Sequence, residues 1–173
     1  YWINEVGFDG LRIDAVHAIY DESPTHFIEE LARSVRESAA ARNGRTAVLV
    51  LENERNEAHH LGNGRCDAQW NDDVHHLFHV LATGESHGYY ADFATGTERL
   101  LARALATGFA YQGDAAAVSG KPRGERSDHL LPTAFVTFLQ NHDQIGNRAF
   151  GERLTSLAKA EVLWALREVQ ILS

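Results

Sequence analysis

The most informative absences in this sequence concern methionine, cysteine and basic residues. No methionine occurs among the 173 residues, so the chain as given does not begin at an initiator, and we expect it to be a piece of a longer protein. The single cysteine, Cys66, cannot form an internal disulfide, which favours the cytoplasm over an oxidising compartment. Lysine and arginine number 16 against 24 aspartates and glutamates, a net charge of −8. Without a basic face, nucleic acid is not an expected partner.

Long hydrophobic runs are missing as well. A helix that spans a bilayer needs roughly 20 consecutive apolar residues, and no stretch of this chain approaches that length. The first residues also lack the basic segment followed by an apolar one that marks an export signal. With 44% hydrophobic and 23% charged residues, the composition is that of a soluble globular protein. We therefore expect no membrane partner, and a neutral or weakly charged ligand.

Short apolar runs alternate with amphipathic stretches along the first third of the chain. Residues 10–14 form an apolar run that ends in a carboxylate, Asp14. Apolar residues at three- and four-residue steps then predict a surface helix, which begins after Ser23-Pro24 and ends at Asn43-Gly44. The continuous apolar run over 46–51 is typical of a strand in a parallel sheet, and it is followed by Glu52.

The same alternation continues to the end of the chain. The patterns predict a short segment over 67–70, helices over 72–84 and 97–107, a loop over 113–128, a third strand over 134–139 and a last helix over about 157–169. Strands that alternate with helices indicate a parallel α/β sheet, either open or closed into a barrel. A (β/α)8 barrel typically needs about 250 residues, so the chain would hold only about half of one.

Three carboxylates follow the predicted strands: Asp14, Glu52 and Asp143. The carboxyl ends of parallel strands are where α/β folds place their active sites. Carboxylates brought together there suit chemistry at a sugar's anomeric carbon, where one attacks and another donates a proton to the leaving oxygen. Arg12 points to the same side of its strand as Asp14 and favours the charged form that a nucleophile needs. The alternative is that each acid caps a helix or pairs with a surface arginine.

The segments around these acids resemble three motifs of glycoside hydrolase family 13, the α-amylase family. Residues 7–17 (GFDGLRIDAVH) resemble its nucleophile motif, 49–52 (LVLE) its acid/base strand and 141–143 (NHD) its third motif. They occur in the order of the family, which makes the match more specific than any one motif. The resemblance implies an α/β fold in which residues 1–173 are a fragment of a (β/α)8 catalytic barrel, roughly its middle-to-late strands.

The resemblance also implies a role for individual residues. Asp14 would be the nucleophile, Glu52 the general acid/base and Asp143 the carboxylate that holds sugar hydroxyls. No cofactor and no metal would be needed, and the substrate would be an α-1,4-linked oligosaccharide. The residues expected to contact or shape the substrate site are Arg12, His17, Trp70, Asn71, Asp72, His142 and Gln144. His17 has an alternative interpretation as a histidine at a helix start, and Trp70 as a core residue.

Other functions are compatible with parts of the sequence. His75 and His79, with His59-His60 nearby, could bind a metal, although the second position of residues 75–79 lacks the glutamate of a zinc hydrolase. Another activity of the same family, such as amylase or glycogen-branching action, would use the same three acids. The chain alone is expected to show little or no hydrolysis, because an Asp and a His that the family carries after its third strand have no counterpart here.

Overall fold

The computed structural model describes residues 1–41 and 44–173 and divides the chain into two compact units. The first, which we call the sheet unit, comprises Tyr1–Trp70 and Leu130–Val136. The second, the helical unit, comprises Asn71–His129 and Thr137–Ser173. Within the described residues, no helix is long and apolar enough to cross a membrane.

Four parallel strands form the sheet of the sheet unit, in the order β1-β2-β3-β4. Their bounds are β1 Gly10–Ile13, β2 Val48–Leu51, β3 Ala68–Trp70 and β4 Phe135–Val136. In a (β/α)8 barrel, strands that follow one another along the chain are likewise parallel neighbours. The predicted α/β class with a parallel sheet is therefore confirmed.

Helix α1, Phe27–Ala40, covers the sheet unit with an apolar face. Its buried residues recur at helical spacing: Ile28, Ala32, Val35 and Ala39. The helix begins later than Ser23-Pro24 suggested because the preceding loop supplies its caps. Asp21 Oδ2 accepts a hydrogen bond from the Phe27 amide at 2.5 Å, and His26 Nδ1 accepts one from the Ile28 amide at 3.3 Å. Of the predicted helix end, Asn43 lies outside the described residues, and the helix itself ends at Ala40.

The third predicted strand is much shorter than its apolar run. Residues 132–134 form a 3₁₀ turn, and only Phe135–Val136 pairs with β3. Asp143 therefore does not directly follow a strand, as the sequence had suggested. It lies in the first turn of a short helix seven residues beyond Val136, because Asn141 caps that helix and ends the extended segment.

The helical unit contains helices α2 to α6, three of which share an apolar core. Their bounds are α2 Asp72–Thr83, α3 Thr97–Thr107, α4 His142–Gly146, α5 Leu154–Leu157 and α6 Ala160–Leu172. The core brings together residues of α2, α3 and α6, including Val74, Leu77, Phe78, Leu100 and Leu166. The helix predicted over 157–169 is found as two helices, α5 and α6.

Candidate active site

Asp14 and Glu52 leave the sheet side by side. Each follows the last residue of its strand, and those two residues, Ile13 and Leu51, are partners in the parallel register. The Glu52 amide donates to the carbonyl oxygen of Ile13 at 2.9 Å, which continues the pairing to the point where the carboxylates begin. Parallel pairing thus places two carboxylates on neighbouring chains at one edge of the sheet.

Arg12 holds both carboxylates with a single guanidinium group. Its Nη1 is hydrogen-bonded to Asp14 Oδ1, and its Nη2 lies 3.0 Å from Glu52 Oε1. The side chain of Glu52 is 15% exposed, whereas that of Asp14 is 75% exposed. The geometry therefore presents an accessible carboxylate beside an enclosed one, with a fixed positive charge between them.

The turn after Asp14 supplies a second contact to Glu52. Ala15 adopts a left-handed backbone conformation, with φ of 43°, which is unfavourable for a residue with a Cβ. In this conformation its amide donates to Glu52 Oε2 at 2.8 Å, and the next amide, of Val16, donates to the carbonyl oxygen of Glu52 at 3.0 Å. Both carboxylate oxygens of Glu52 are thus held by groups from the β1 end.

His17 lies in the short 3₁₀ turn that follows, Val16–Ala18. Its Nδ1 accepts a hydrogen bond from the Glu54 amide at 3.3 Å, so the ring proton of the neutral imidazole is on Nε2. The Glu54 carboxylate lies 3.9 Å from that nitrogen. The histidine is therefore oriented by the chain that follows Glu52.

Trp70 ends β3 and lies against Arg12. The guanidinium carbon of Arg12 lies over the indole ring, 4.2 Å from the ring centroid. This distance is that of a cation–π contact. The structure thus brings together five of the residues singled out from the sequence within the sheet unit: Arg12, Asp14, His17, Glu52 and Trp70.

Asn71 and Asp72 are buried in the helical unit, where other protein groups engage their side chains. Asn71 caps α2, since its Oδ1 accepts from the Val74 amide at 3.4 Å, and its Nδ2 donates to the carbonyl oxygen of Gly108 at 2.6 Å. Asp72 Oδ1 lies 3.2 Å from Nε2 of His75. Asn71 therefore fixes the loop that begins at Gly108.

The third carboxylate, Asp143, is presented by α4 of the helical unit. Asn141 and Gln144 form a reciprocal capping box: Asn141 Oδ1 accepts from the Gln144 amide at 3.0 Å, and Gln144 Oε1 accepts from the Asn141 amide at 3.2 Å. The Gln144 amide group also donates to Tyr90 Oη at 3.4 Å. His142 and Asp143 are 66% and 52% exposed, with His142 Nε2 3.5 Å from Asp143 Oδ2. The capping box uses the side chains of Asn141 and Gln144, and the side chains of His142 and Asp143 between them stay exposed.

An ion-pair network beside α4 was not found from the sequence. Arg148 donates to both oxygens of Glu85, at 3.0 and 2.9 Å, and His79 Nε2 lies 2.7 Å from Glu85 Oε2. The hydrogen bonds from Arg148 lower the pKa of Glu85 to about 2, and burial lowers the pKa of His79. Glu85 and Arg148 are 63 residues apart, so no local pattern could reveal the pair.

Two of the histidines considered as metal ligands, His75 and His79, are paired with carboxylates. His75 Nε2 faces Asp72 and His79 Nε2 faces Glu85. In the chain outside residues 42 and 43, no three or more His, Cys, Asp or Glu side chains are grouped so that they could hold a metal ion. The metallohydrolase alternative therefore has no geometric support in the described residues.

Comparison with known proteins extends these observations. The chain is 43% identical to a malto-oligosyltrehalose trehalohydrolase of Deinococcus radiodurans, over 88% of this chain and 25% of that protein. It is 38% identical to one of Saccharolobus solfataricus, over 100% of this chain and 30% of the relative. A solved structure from Salmonella typhimurium, described as a candidate alpha amylase, superposes with a TM-score of 0.90 and 45% identity over 99% of this chain and 30% of that one. No protein-family model matches.

The chain therefore spans between 25% and 30% of the length of the curated relatives it matches. Over that span the sequence agrees with proteins named malto-oligosyltrehalose trehalohydrolase, and both sequence and fold agree with the alpha amylase structure. The resemblance to the α-amylase family is thereby confirmed. Among the curated relatives, the chain is similar to one segment of the malto-oligosyltrehalose trehalohydrolases.

Proposed function

We propose that this chain carries the nucleophile and the acid/base of a retaining glycoside hydrolase. The substrate would be maltooligosyltrehalose, cleaved at the α-1,4 bond next to the terminal trehalose unit to give trehalose and a shortened maltooligosaccharide. The observation that carries the proposal is the Arg12 guanidinium shared by Asp14 and Glu52 at the ends of neighbouring parallel strands. A retaining mechanism needs two carboxyl groups close together, about 5 Å apart, and one shared arginine head favours such proximity.

The reaction would proceed by double displacement. Glu52 gives its proton to the glycosidic oxygen while a carboxylate oxygen of Asp14 attacks the anomeric carbon, so the leaving trehalose takes the proton and a glycosyl ester forms on Asp14. Glu52 then removes a proton from water, which attacks the same carbon and frees Asp14 with retained configuration. The exposure of Asp14 and the enclosure of Glu52 fit these roles.

The other candidates would bind or shape the substrate. We assign contacts with sugar hydroxyls to Asp143 and His142, which are exposed, and a place on the leaving-group side to His17. Arg12 is a further proposed binding residue, and Gln144, whose buried side chain caps α4, would shape the site by holding the turn that presents Asp143. Asn71 and Asp72 would act on specificity by fixing the loops around them, since their side chains are buried. We propose no cofactor, and the single cysteine favours a cytoplasmic setting.

We further propose that the 173 residues work as part of a larger catalytic barrel. The curated relatives are more than three times as long as the segment that this chain matches, and four parallel strands are half of an eight-stranded barrel. We therefore propose the activity of the full-length relatives for this chain only when it forms part of a complete barrel.

A chimera tests the proposal. This chain replaces the matched segment of the Deinococcus radiodurans relative, and the product is assayed for trehalose released from maltooligosyltrehalose and for maltose released from a maltooligosaccharide of equal length. We expect trehalose to be released faster, and Glu52→Gln in the chimera to abolish turnover while substrate still binds. Equal rates for the two substrates would refute the trehalose specificity, and turnover by the Glu52→Gln chimera would refute the acid/base assignment.

A second candidate function is amylase action on plain maltooligosaccharides. The description of the Salmonella typhimurium relative, at 45% identity, favours it. The same assay distinguishes the two functions, because an amylase would release maltose from the unmodified chain at least as fast as trehalose from the modified one.

A further inference from the structure

We propose that Trp70 is a positioning residue that holds Arg12 in the conformation in which it contacts both carboxylates. The inference rests on the proposed function for its catalytic meaning, since it concerns how Asp14 and Glu52 are kept in place. It assigns to Trp70 a task different from stacking on a sugar ring.

The argument begins with the layout of the sheet. Arg12 belongs to β1 and Trp70 to β3, so β2 lies between them. Neighbouring strands are about 4.8 Å apart, and the arginine side chain must therefore extend across one whole strand to reach the indole. A long, flexible side chain in that position needs a surface to lie on, and the ring of Trp70 is 4.2 Å from its guanidinium carbon.

The chemistry of the two groups suits this arrangement. A guanidinium is planar and weakly hydrated, so it can lie on an aromatic face and still direct its N–H groups outward in its own plane. Arg12 Nη1 donates a hydrogen bond to Asp14, whereas Nη2 makes an ion pair with Glu52 Oε1 at 3.0 Å without a hydrogen bond. The indole ring attracts the guanidinium through its π face and carries no carboxylate of its own. Trp70 can thus restrict Arg12 without competing with Asp14 and Glu52 for its charge.

The same geometry limits what else Trp70 can do. The indole face beneath Arg12 is covered by the guanidinium, so a sugar ring cannot stack there while the ion pairs persist. Glu52 depends on Arg12 for one of its two oxygen contacts, and on the Ala15 amide for the other. If Arg12 moves, the Glu52 carboxylate should shift, and the hydrogen bond from the Ala15 amide to Glu52 should weaken. The chemical shift of the Ala15 amide proton therefore indicates whether Glu52 has moved.

Nuclear magnetic resonance of the 173-residue chain without substrate tests this positioning role. The Arg12 Nε–H signal is identified by its loss in Arg12→Lys, and the Ala15 amide is followed beside it. Shielding by the indole ring should place the Arg12 proton upfield of the other arginines. Trp70→Leu should return it to their position and move the Ala15 amide upfield as its hydrogen bond weakens. Trp70→Phe should rescue the Ala15 signal and retain a smaller Arg12 shift.

Trp164→Leu is the matched control, because Trp164 carries Arg167 at 4.9 Å in a comparable contact within the helical unit. It should leave the Arg12 and Ala15 signals unchanged. The proposal is overturned if both signals keep their wild-type positions in folded Trp70→Leu, or if Arg12 moves and Ala15 does not. If the leucine variant does not fold, a displaced Ala15 amide in Trp70→Phe overturns it instead. Since no substrate is used, these outcomes do not depend on hydrolysis.

Discussion

The ion pair between Glu85 and Arg148 predicts how the helical unit responds to acid. The pKa of Glu85 is about 2, against an unperturbed value of 4.5, chiefly because Arg148 donates two hydrogen bonds to it. The unfolded chain therefore takes up the proton first as the pH falls. The stability from this pair is fully present above pH 4.5 and is lost as the pH falls from about 4.5 towards 2.

The size of this effect can be worked out from the structure. Each unit of pKa difference corresponds to about 1.4 kcal/mol, so the pair contributes at most about 3.5 kcal/mol. The Glu85 side chain is 24% exposed, and screening by solvent reduces the expected contribution to about 2 kcal/mol. Glu85→Gln should therefore lower the free energy of unfolding at pH 7 by about 2 kcal/mol, and the deficit should shrink by about half at pH 3.

Urea unfolding followed by circular dichroism between pH 7 and pH 3 measures this difference. Glu152→Gln is the matched control, because Glu152 also faces Arg148, at 3.4 Å, but is more exposed and contacts it only through Nε. The control should change stability less and show a weaker dependence on pH. A Glu85→Gln deficit that stays constant from pH 7 to pH 3, or one no larger than that of the control, would refute the reasoning.

Three further predictions concern single residues of the two units. Gly10→Ala should lower the free energy of unfolding by about 1–3 kcal/mol in urea titrations, because its Cβ would collide with the carbonyl oxygen of Val48 on the neighbouring strand. Asp73→Asn should cost about 3 kcal/mol in the same assay, since the buried carboxylate pairs with Arg123 and accepts from two backbone amides. Burial raises the pKa of Cys66 to about 11, so alkylation by iodoacetamide at pH 8 should be slow until urea unfolds the chain; rapid reaction of the native protein would contradict this.

The part of the site in the sheet unit could be predicted because its signals are local. An apolar run that ends in a carboxylate predicts a parallel strand, and in the structure Asp14 and Glu52 directly follow the paired strands β1 and β2. Their catalytic roles stay predictions. The contact between Arg12 and Trp70 could not be predicted, because it depends on the pairing of three strands rather than on any one of them.

The region of Asp143 shows a different limit. The apolar run over 134–139 suggested one long strand, but Leu139 instead packs on the apolar core of the helical unit. A local signal for the following helix was present, since Asn141 and Gln144 have the spacing of a capping box. Hydrophobic pattern alone does not say which of two cores a short apolar run joins, and the strand was therefore predicted too long.

The assignment of Asp14 and Glu52 is tested most directly by trapping the glycosyl ester in the Glu52→Gln chimera. With maltosyl fluoride as donor, fluoride leaves without an acid, so Asp14 can still attack, whereas hydrolysis of the ester lacks its base and the intermediate accumulates. The same change in the Deinococcus radiodurans relative is the positive control. Mass spectrometry of a digest should find the maltosyl group on the peptide that contains Asp14. A label on another residue, or no label while the control is labelled, would contradict the assignment.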